Sequence, residues 1–406
     1  MPFRLIHGLG ERYSPLLFLS ALGAGGLTVS FFMYLLFWVP HPQTPIPVFE
    51  DVLAAYAGQA VAGKLAIAVA LLGIVVFALM HIRLLLWNIA EYAAFRRTAA
   101  YTSLRAGNGE TQLLAVPLTL AMAVNVFFII GAVFVPGLWS IVEYLIPAAM
   151  VVFLAIGAYA LSLLLDFFAR VFTLGGFDCA KNNSLAQMLP TFALAMVGVG
   201  LAAPAAFSGI RLVAGLSLIA SSFFLTLAVI LGAIKLVLGF RGMMDQGTTK
   251  ESLPTLWIIV PILTVLTIAL LRQDHALHAF FGGQAGAGDS LVFLSQMLAA
   301  QVFFGLLGWV VMRREGYFET YITGPERSPA SYALACPGVA LAVMAHFFMN
   351  KGLVAAGLID KFGPAYWVLA AVAVVIQLAT IWLVVKLNMK LLAAEPGSGR
   401  AERPAS

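Results

Sequence analysis

Charged residues and cysteines are both scarce in this 406-residue chain. Asp, Glu, Lys and Arg make up 10% of it, against about 25% in a typical soluble domain. Its two cysteines, Cys179 and Cys336, are too few for a disulfide framework, and no CxxC or Cys/His spacing indicates a metal site. The sequence contains no Walker phosphate loop, and "GAGG" is not followed by a strand-helix unit, so nothing indicates a nucleotide-driven pump. We therefore expect neither a metal nor a cofactor.

Apolar residues dominate instead, at 62% of the chain with a mean hydropathy of +0.98. A soluble core of this size cannot hide so much apolar surface, so the composition predicts an all-α polytopic membrane protein. A span needs about 20 apolar residues. Ten segments qualify, at roughly 14–38, 64–92, 112–135, 141–168, 185–206, 211–238, 254–272, 290–312, 329–349 and 364–388. We expect a single transmembrane domain over residues 1–390 and a disordered cytoplasmic tail over residues 391–406.

The basic residues are unequally divided between the two sides of the predicted membrane. Of the 23 Lys and Arg residues, fifteen fall on the side that holds both termini and five on the other side. Because Lys and Arg accumulate in cytoplasmic loops, both termini are predicted to be cytoplasmic, in a multi-pass protein of the inner membrane. The net charge of +5 is then a consequence of topology and indicates no nucleic-acid partner. Membrane lipid is the partner that this composition predicts.

A proline recurs at similar depth in four odd-numbered segments: "QLLAVPLTLAMAV", "LAQMLPTFALAMV", "LWIIVPILTVLTI" and "YALACPGVALAVM". These prolines, Pro117, Pro190, Pro261 and Pro337, follow one another at intervals of 73, 71 and 76 residues. Each interval holds one helical hairpin, so the repeat predicts five hairpins. The first segment has "GAGG" at the corresponding depth, where Gly25 is expected to supply flexibility. Proline is also generally commoner in membrane helices, which is the alternative explanation.

A proline removes one backbone N–H and clashes with the carbonyl four residues before it. Backbone groups freed in this way must be buried in protein or face water when they lie within a membrane. We therefore predict kinked odd-numbered helices around a central pore, with the even-numbered helices facing lipid.

The chain resembles the tellurite-resistance/C4-dicarboxylate transporter family in two features. These are the ten predicted helices arranged as five hairpins and the stretch "SPASYALACPGVALAV" in the ninth segment. That family includes plant slow anion channels and fungal sulfite exporters. The cysteine at position 336 makes the chain similar to its TsoY-like branch of cysteine and selenocysteine proteins. The resemblance implies a pore within each subunit, a small anion as substrate and a homotrimer.

In the channel members of that family, a phenylalanine that plugs the pore precedes the ninth-helix proline. Cys336 occupies that position here, and the other repeat prolines follow Val116, Leu189 and Val260. The resemblance therefore implies a constriction that is apolar apart from one thiol, and it implies no phenylalanine plug before Pro337.

Several polar residues inside or near the spans are candidate site residues, each with a structural alternative. Cys336 is either a pore-facing thiol or a small buried apolar residue. Asn125 and His346 either contact an anion in the pore or form interhelical hydrogen bonds. His81 and Arg83 either attract anions at a vestibule or take part in snorkelling and ion pairing.

These observations predict an anion channel or transporter, with a small sulfur-containing anion such as sulfite as its substrate. We expect no enzymatic activity. The alternative is a membrane thiol-redox protein that uses Cys336, or a quinol-interacting anchor subunit. A scaffold without conduction is a third interpretation.

Overall fold

The computed structural model describes residues 4–178, 182–284 and 286–394, and within them ten helices are long and apolar enough to cross a membrane. Their bounds are Pro15–Trp38, Val61–Phe95, Asn108–Phe134, Leu138–Leu174, Ala186–Phe207, Arg211–Gln246, Lys250–Phe280, Ala287–Arg314, Pro329–Val354 and Pro364–Leu391. We refer to them as the first to tenth spans. The prediction of an all-α polytopic membrane protein is confirmed. Cys179 and residues 395–406 of the predicted tail lie outside the described residues.

The five odd-numbered spans form a closed ring, which we call the inner ring. The first contacts the third, the third the fifth, the fifth the seventh, the seventh the ninth, and the ninth contacts the first again. Each even-numbered span packs on the odd-numbered spans before and after it. In the most apolar stretch of each span, 56–94% of the residues are buried in the odd-numbered spans and only 17–39% in the even-numbered ones. The predicted five hairpins, with the odd-numbered helices inside, are confirmed.

The repeat prolines mark a change of helix type. Every odd-numbered span begins with a 3-10 segment: Pro15–Leu17, Asn108–Leu114, Ala186–Met188, Lys250–Ile258 and Pro329–Leu334. The α-helices that follow are Phe18–Trp38, Ala115–Phe134, Leu189–Phe207, Ile259–Phe280 and Ala335–Phe347.

Pro117, Pro190, Pro261 and Pro337 are each the second or third residue of one of these α-helices. Proline is tolerated in a first turn because its missing N–H and fixed φ fit that position. The expected kinks between two α-helical halves are therefore replaced by 3-10 to α junctions.

Gly25 does not act as a kink, contrary to the prediction, because the α-helix Phe18–Trp38 runs through it without interruption. A Cβ atom at Gly25 would lie 2.6 Å from Cγ of Met122 and 2.8 Å from Nδ1 of His81. Gly25 therefore allows the second and third spans to approach the first closely.

Segments near the two ends of the chain pair on one side of the membrane domain. Leu5 and Ala393 form an isolated antiparallel β-bridge, and the N–H of Ala394 donates to the carbonyl of Arg4 at 2.8 Å. We call this the bridge side, and the other the opposite side. The predicted tail is thus ordered at residues 391–394, because Leu391 ends the tenth span and the next residues form backbone hydrogen bonds.

Shorter helices complete the connections. Phe49–Gly58 lies on the opposite side, between the first two spans, and Ala99–Ala106 lies on the bridge side, between the second and third. Among the residues that the structure describes, two segments are π-helical, Phe318–Thr323 before the ninth span and Phe348–Val354 at the end of that span. A π-helical turn is rare and frequently lies at a functional site, which directs attention to the second of these segments.

Candidate functional site

The inner ring encloses a cavity of about 1130 Å³ that opens on the opposite side. The described residues that line it come from all five odd-numbered spans, from the loop over residues 39–46, from the start of the eighth span and from the loop before the tenth. Each odd-numbered span contributes one residue to the floor, which we define as the lining residue nearest the bridge side. These floor residues are Leu22, Met122, Phe192, Pro261 and Cys336.

The cavity lining ends at the floor, and below it, toward the bridge side, buried residues of the odd-numbered spans belong to one large core cluster. One such residue of each span, all at most 5% exposed, is Phe18, Leu118, Met188, Leu256 and Tyr332. Two of these residues contact outer spans: the hydroxyl of Tyr332 donates to Oδ1 of Asn388 at 2.8 Å, and the ring centroid of Phe18 lies 5.9 Å from that of Tyr92.

Cys336 is the one residue directly before a repeat proline that reaches the cavity, among the residues that the structure describes. It is half-buried, and its thiol is free. Val116, Leu189 and Val260 are buried in the protein interior and do not border the cavity. Of the four pre-proline residues that were predicted to form a constriction, Cys336 alone therefore lines the cavity, and the constriction itself stays a prediction. Pro117, Pro190 and Pro337 are buried as well, while Pro261 forms part of the floor.

An aromatic residue does lie at the floor, but on the fifth span. Phe192 is 4% exposed and follows Pro190 by two residues. Phe192 is not one of the residues directly before a repeat proline, so the repeat pattern did not predict it as a site residue. The signal available was "LPTFALA", the repeat stretch with an aromatic residue two positions after its proline.

Arg272 is a cationic residue in the membrane-spanning wall of the cavity. It is half-buried, and its Nη1 donates to the carbonyl of Val199 at 2.8 Å. Its Cζ lies 5.4 Å from the ring centroid of Phe207, which stacks on Phe128 at 5.8 Å. Within the described residues, no carboxylate lies within ion-pair distance of this guanidinium. A charge held in a membrane protein without a counter-ion is costly and marks a functional position by default.

The apolar run of the seventh segment stops at Arg272, which predicts this residue at the outer end of the span. The helix instead continues to Phe280, so Arg272 is part of the helical wall. Pro261, Val265, Ile268 and Arg272 all line the cavity at helical spacing, which places them in one stripe along the seventh span. That stripe runs from the floor to the mouth.

The mouth of the cavity carries further titratable residues. Lys351 projects from the π-helical segment Phe348–Val354, and the carboxylate of Asp274 lies 3.7 Å from Nε2 of His278. Cavity-lining residues with ionisable side chains near the mouth are His41, Arg272, Asp274, His275, His278, Lys351 and Lys361. Three of these lining residues, Arg272, Lys351 and Lys361, are cationic at neutral pH, and one, Asp274, is a carboxylate, so the lining side chains of the mouth carry a net positive charge even when the histidines are neutral.

Lys361 precedes the tenth span in the loop at the mouth. Its Nζ lies 5.2 Å from the ring centroid of Phe362, the one described residue other than glycine with a positive φ, of 65°. Partial burial lowers the pKa of Lys361 below 10.5, and the positive charge of Lys351 lowers it further. The two ammonium groups therefore influence each other across the mouth.

The other predicted polar residues are divided between the cavity and the protein interior. Asn125 borders the cavity, and its Nδ2 donates to the carbonyl of Ala121 in its own helix. His346 is 1% exposed and does not border the described cavity, since its ring lies between those of Tyr34 and Phe37, with centroid distances of 4.9 and 6.3 Å. The structure therefore shows neither the anion contact nor the interhelical hydrogen bond that was expected of His346: its ring packs between the first and ninth spans, and its Nδ1 has no hydrogen-bond partner among the described residues.

The expected vestibule at His81 and Arg83 is wrong. His81 is fully buried, with Nδ1 2.8 Å from the carbonyl oxygen of Ala21, and Arg83 is exposed on the outer face of the second span. Neither residue borders the cavity, as far as the chain is described. The second span packs outside the inner ring, so its side chains face the first span, the third span or the surroundings of the protein.

No group of three or more His, Cys, Asp or Glu residues with metal-binding geometry occurs in the described ranges. In comparisons with known proteins, no protein-family model and no curated protein matches the chain. The resemblance to the tellurite-resistance/C4-dicarboxylate transporter family therefore stays a prediction.

Proposed function

We propose that this membrane protein transports anions through its inner ring. The main support for the proposal is the position of Arg272. Its guanidinium lies in the cavity wall and has no carboxylate partner among the described residues. A guanidinium has five N–H donors in a fixed planar arrangement, and Arg272 directs one of them to Val199. Donors that remain suit a carboxylate, sulfonate or other oxoanion that enters the cavity.

The positive mouth supports the same function. Lys351 and Lys361 raise the local concentration of anions by electrostatic attraction, while cations are repelled. The cavity lining ends at the floor, toward the bridge side. Transport then requires that the packing below the floor opens, either as the gate of a channel or as one step of alternating access.

The orientation that we propose follows from the distribution of basic residues. The bridge side faces the cytoplasm of the inner membrane, and the cavity mouth faces outward. A homotrimer and a small sulfur-containing anion such as sulfite are finer proposals that the family resemblance suggests. The position of Cys336 at the cavity floor is compatible with a sulfur-containing substrate.

Anion flux into liposomes that contain the purified protein tests the proposal. The Arg272→Gln variant should lose flux by roughly tenfold or more, since a charge-assisted hydrogen bond contributes about 1.5–3 kcal/mol. Arg211→Gln is the matched control because Arg211 is exposed on the same side, also lies over a phenylalanine ring and does not border the cavity. Wild-type flux no greater than that of protein-free liposomes would refute transport.

A second candidate function rests on Cys336. A free thiol at the end of a cavity that opens on one side suits a membrane thiol-redox protein. Cys336→Ser distinguishes the two functions, since a transporter should keep much of its flux while a thiol-dependent protein should lose all activity. No described feature favours a quinol-interacting anchor over these two functions.

A further inference from the structure

The cavity combines a cationic wall residue near its mouth with an apolar interior. Arg272 follows Pro261, a floor residue, by eleven positions, so about 16 Å of helix separates the guanidinium from the floor. Between them, the wall on the seventh span consists of Val265 and Ile268, with Thr264 beside them. A substrate bound to Arg272 therefore has an apolar space between itself and the floor.

The other inner-ring spans line this same region mainly with apolar side chains. Phe192 and Met196 border it from the fifth span, and Val339 and Val343 from the ninth. Between Arg272 and the floor, the polar side chains that line it are Thr264 and Asn125, within the described residues. Both are already hydrogen-bonded, Thr264 to the carbonyl of Ala340 and Asn125 to that of Ala121.

The polar groups of this region are therefore poorly suited to replace the hydration shell of a small inorganic anion. Removing the hydration shell of a small inorganic anion costs free energy when no hydrogen-bond donors of the protein replace the water. An apolar molecular body gains free energy in the same place, because burying each methylene is favourable. The cavity volume of about 1130 Å³ is also large enough for an organic molecule, since pockets for drug-sized ligands measure about 300–1,000 Å³.

We infer that the substrate is an amphipathic organic monoanion, with a carboxylate or sulfonate head group at Arg272 and an apolar body that extends toward Phe192 and Cys336. This inference rests on the proposed anion transport and specifies its substrate class. The stack of Phe207 on Phe128 holds the guanidinium in place for the head group. The floor residues limit the length of the body.

A series of linear alkylsulfonates tests the inference, with dissociation constants measured by calorimetry on the full chain in lipid nanodiscs. Sulfonates stay ionised over the whole working range of pH, so no neutral form of the ligand contributes to the result. We expect the dissociation constant to fall by about fourfold for each methylene added, until the body reaches the floor. Primary alcohols of equal length are the neutral controls and should bind far more weakly.

Two variants separate the contributions of the head group and the body. Arg272→Gln should weaken all sulfonates by a similar factor, roughly tenfold, whatever their length. Ile268→Ser, one helical turn from Arg272, should reduce the gain per methylene, so that hexanesulfonate binding weakens more than methanesulfonate binding. Arg211→Gln should change neither quantity.

Three results would overturn the inference. If sulfite or chloride binds and crosses liposomes as well as hexanesulfonate, transport stands and the substrate class is wrong. If the alcohols gain as much affinity per methylene as the sulfonates, the ligands partition unspecifically into apolar surroundings. The same conclusion would follow if Arg272→Gln left the dissociation constants of the sulfonates unchanged. If no anion binds and none crosses the membrane, the proposed transport fails together with the substrate class.

Discussion

Nδ1 of His81 lies 2.8 Å from the carbonyl oxygen of Ala21, and this contact ties the second span to the first next to Gly25. A Cβ atom at Gly25 would come within 2.8 Å of that same nitrogen, so His81 is held where the glycine leaves room for it. The contact joins one inner and one outer helix of the first hairpin. It also accounts for a buried histidine that does not border the cavity.

Gly25→Ala should therefore destabilise the protein. The added methyl group collides with Met122 and with His81, and overpacking of this kind costs about 1–3 kcal/mol. Thermal unfolding in detergent measures the effect as a lower midpoint temperature. Gly305→Ala is the matched control because Gly305 is also within a membrane helix and a Cβ atom there meets nothing within 4 Å. A Gly25→Ala protein as stable as Gly305→Ala would contradict the close packing described here.

Cys336 should react with a membrane-impermeant maleimide added on the opposite side, through the cavity. Cys179→Ser removes the other cysteine of the chain, so that labelling reports Cys336 alone. Labelling is expected to block anion flux, because the adduct fills the floor beside Phe192. Prior addition of hexanesulfonate should slow the reaction. Labelling only from the bridge side would show that the cavity opens in the other direction.

Anion uptake should decline as the pH rises toward 10.5, because Lys361 then loses its charge earlier than an ordinary lysine. Burial and the neighbouring Lys351 lower the pKa of Lys361, so its neutral form appears at lower pH than that of an ordinary lysine. Lys361→Arg should flatten the decline, since arginine stays charged over this range. Initial uptake rates at low ionic strength measure the effect, which added salt should weaken. Identical pH profiles for the two proteins would exclude a role of Lys361 in attracting anions.

Glu110→Gln should weaken the bridge side between the third and fourth spans. The Glu110 carboxylate is buried, and it accepts hydrogen bonds from Arg105 at 3.0 Å and from Arg170 at 3.0 Å. Losing its charge should cost roughly 1–3 kcal/mol of stability. Asp166→Asn removes the exposed partner of Arg105 at 3.4 Å and should change stability by no more than about 1 kcal/mol. Equal losses from the two variants would argue against the buried network.

Much of the architecture could be predicted because it depends on length, hydropathy and spacing. The ten spans follow from apolar runs of membrane length, and the five hairpins follow from prolines at intervals of 73, 71 and 76 residues. Helix ends were predicted less well where a helix continues past its apolar run. The seventh span illustrates this, because its apolar run stops near Arg272 while the helix continues to Phe280.

The candidate site was predicted only in part. Cys336, Asn125 and Pro261 border the cavity as expected, whereas His81, Arg83, His346, Val116, Leu189 and Val260 do not. Arg272 and Phe192 were missed because nothing in the local sequence indicates the direction in which a mostly apolar helix turns its side chains. With apolar residues all around the inner helices, no amphipathic stripe marks the cavity face.

The sequence by itself determined that this chain crosses a membrane ten times, that its helices pair as hairpins and that proline marks four odd-numbered spans. These properties depend on residue type and spacing, because the bilayer demands apolar lengths and internally satisfied backbones. Only the tertiary structure decided that the inner helices close into a ring, that one side chain of each forms the floor and that Arg272 lies in the wall. Those features depend on the rotation of each helix about its own axis, and close packing between neighbouring helices determines that rotation.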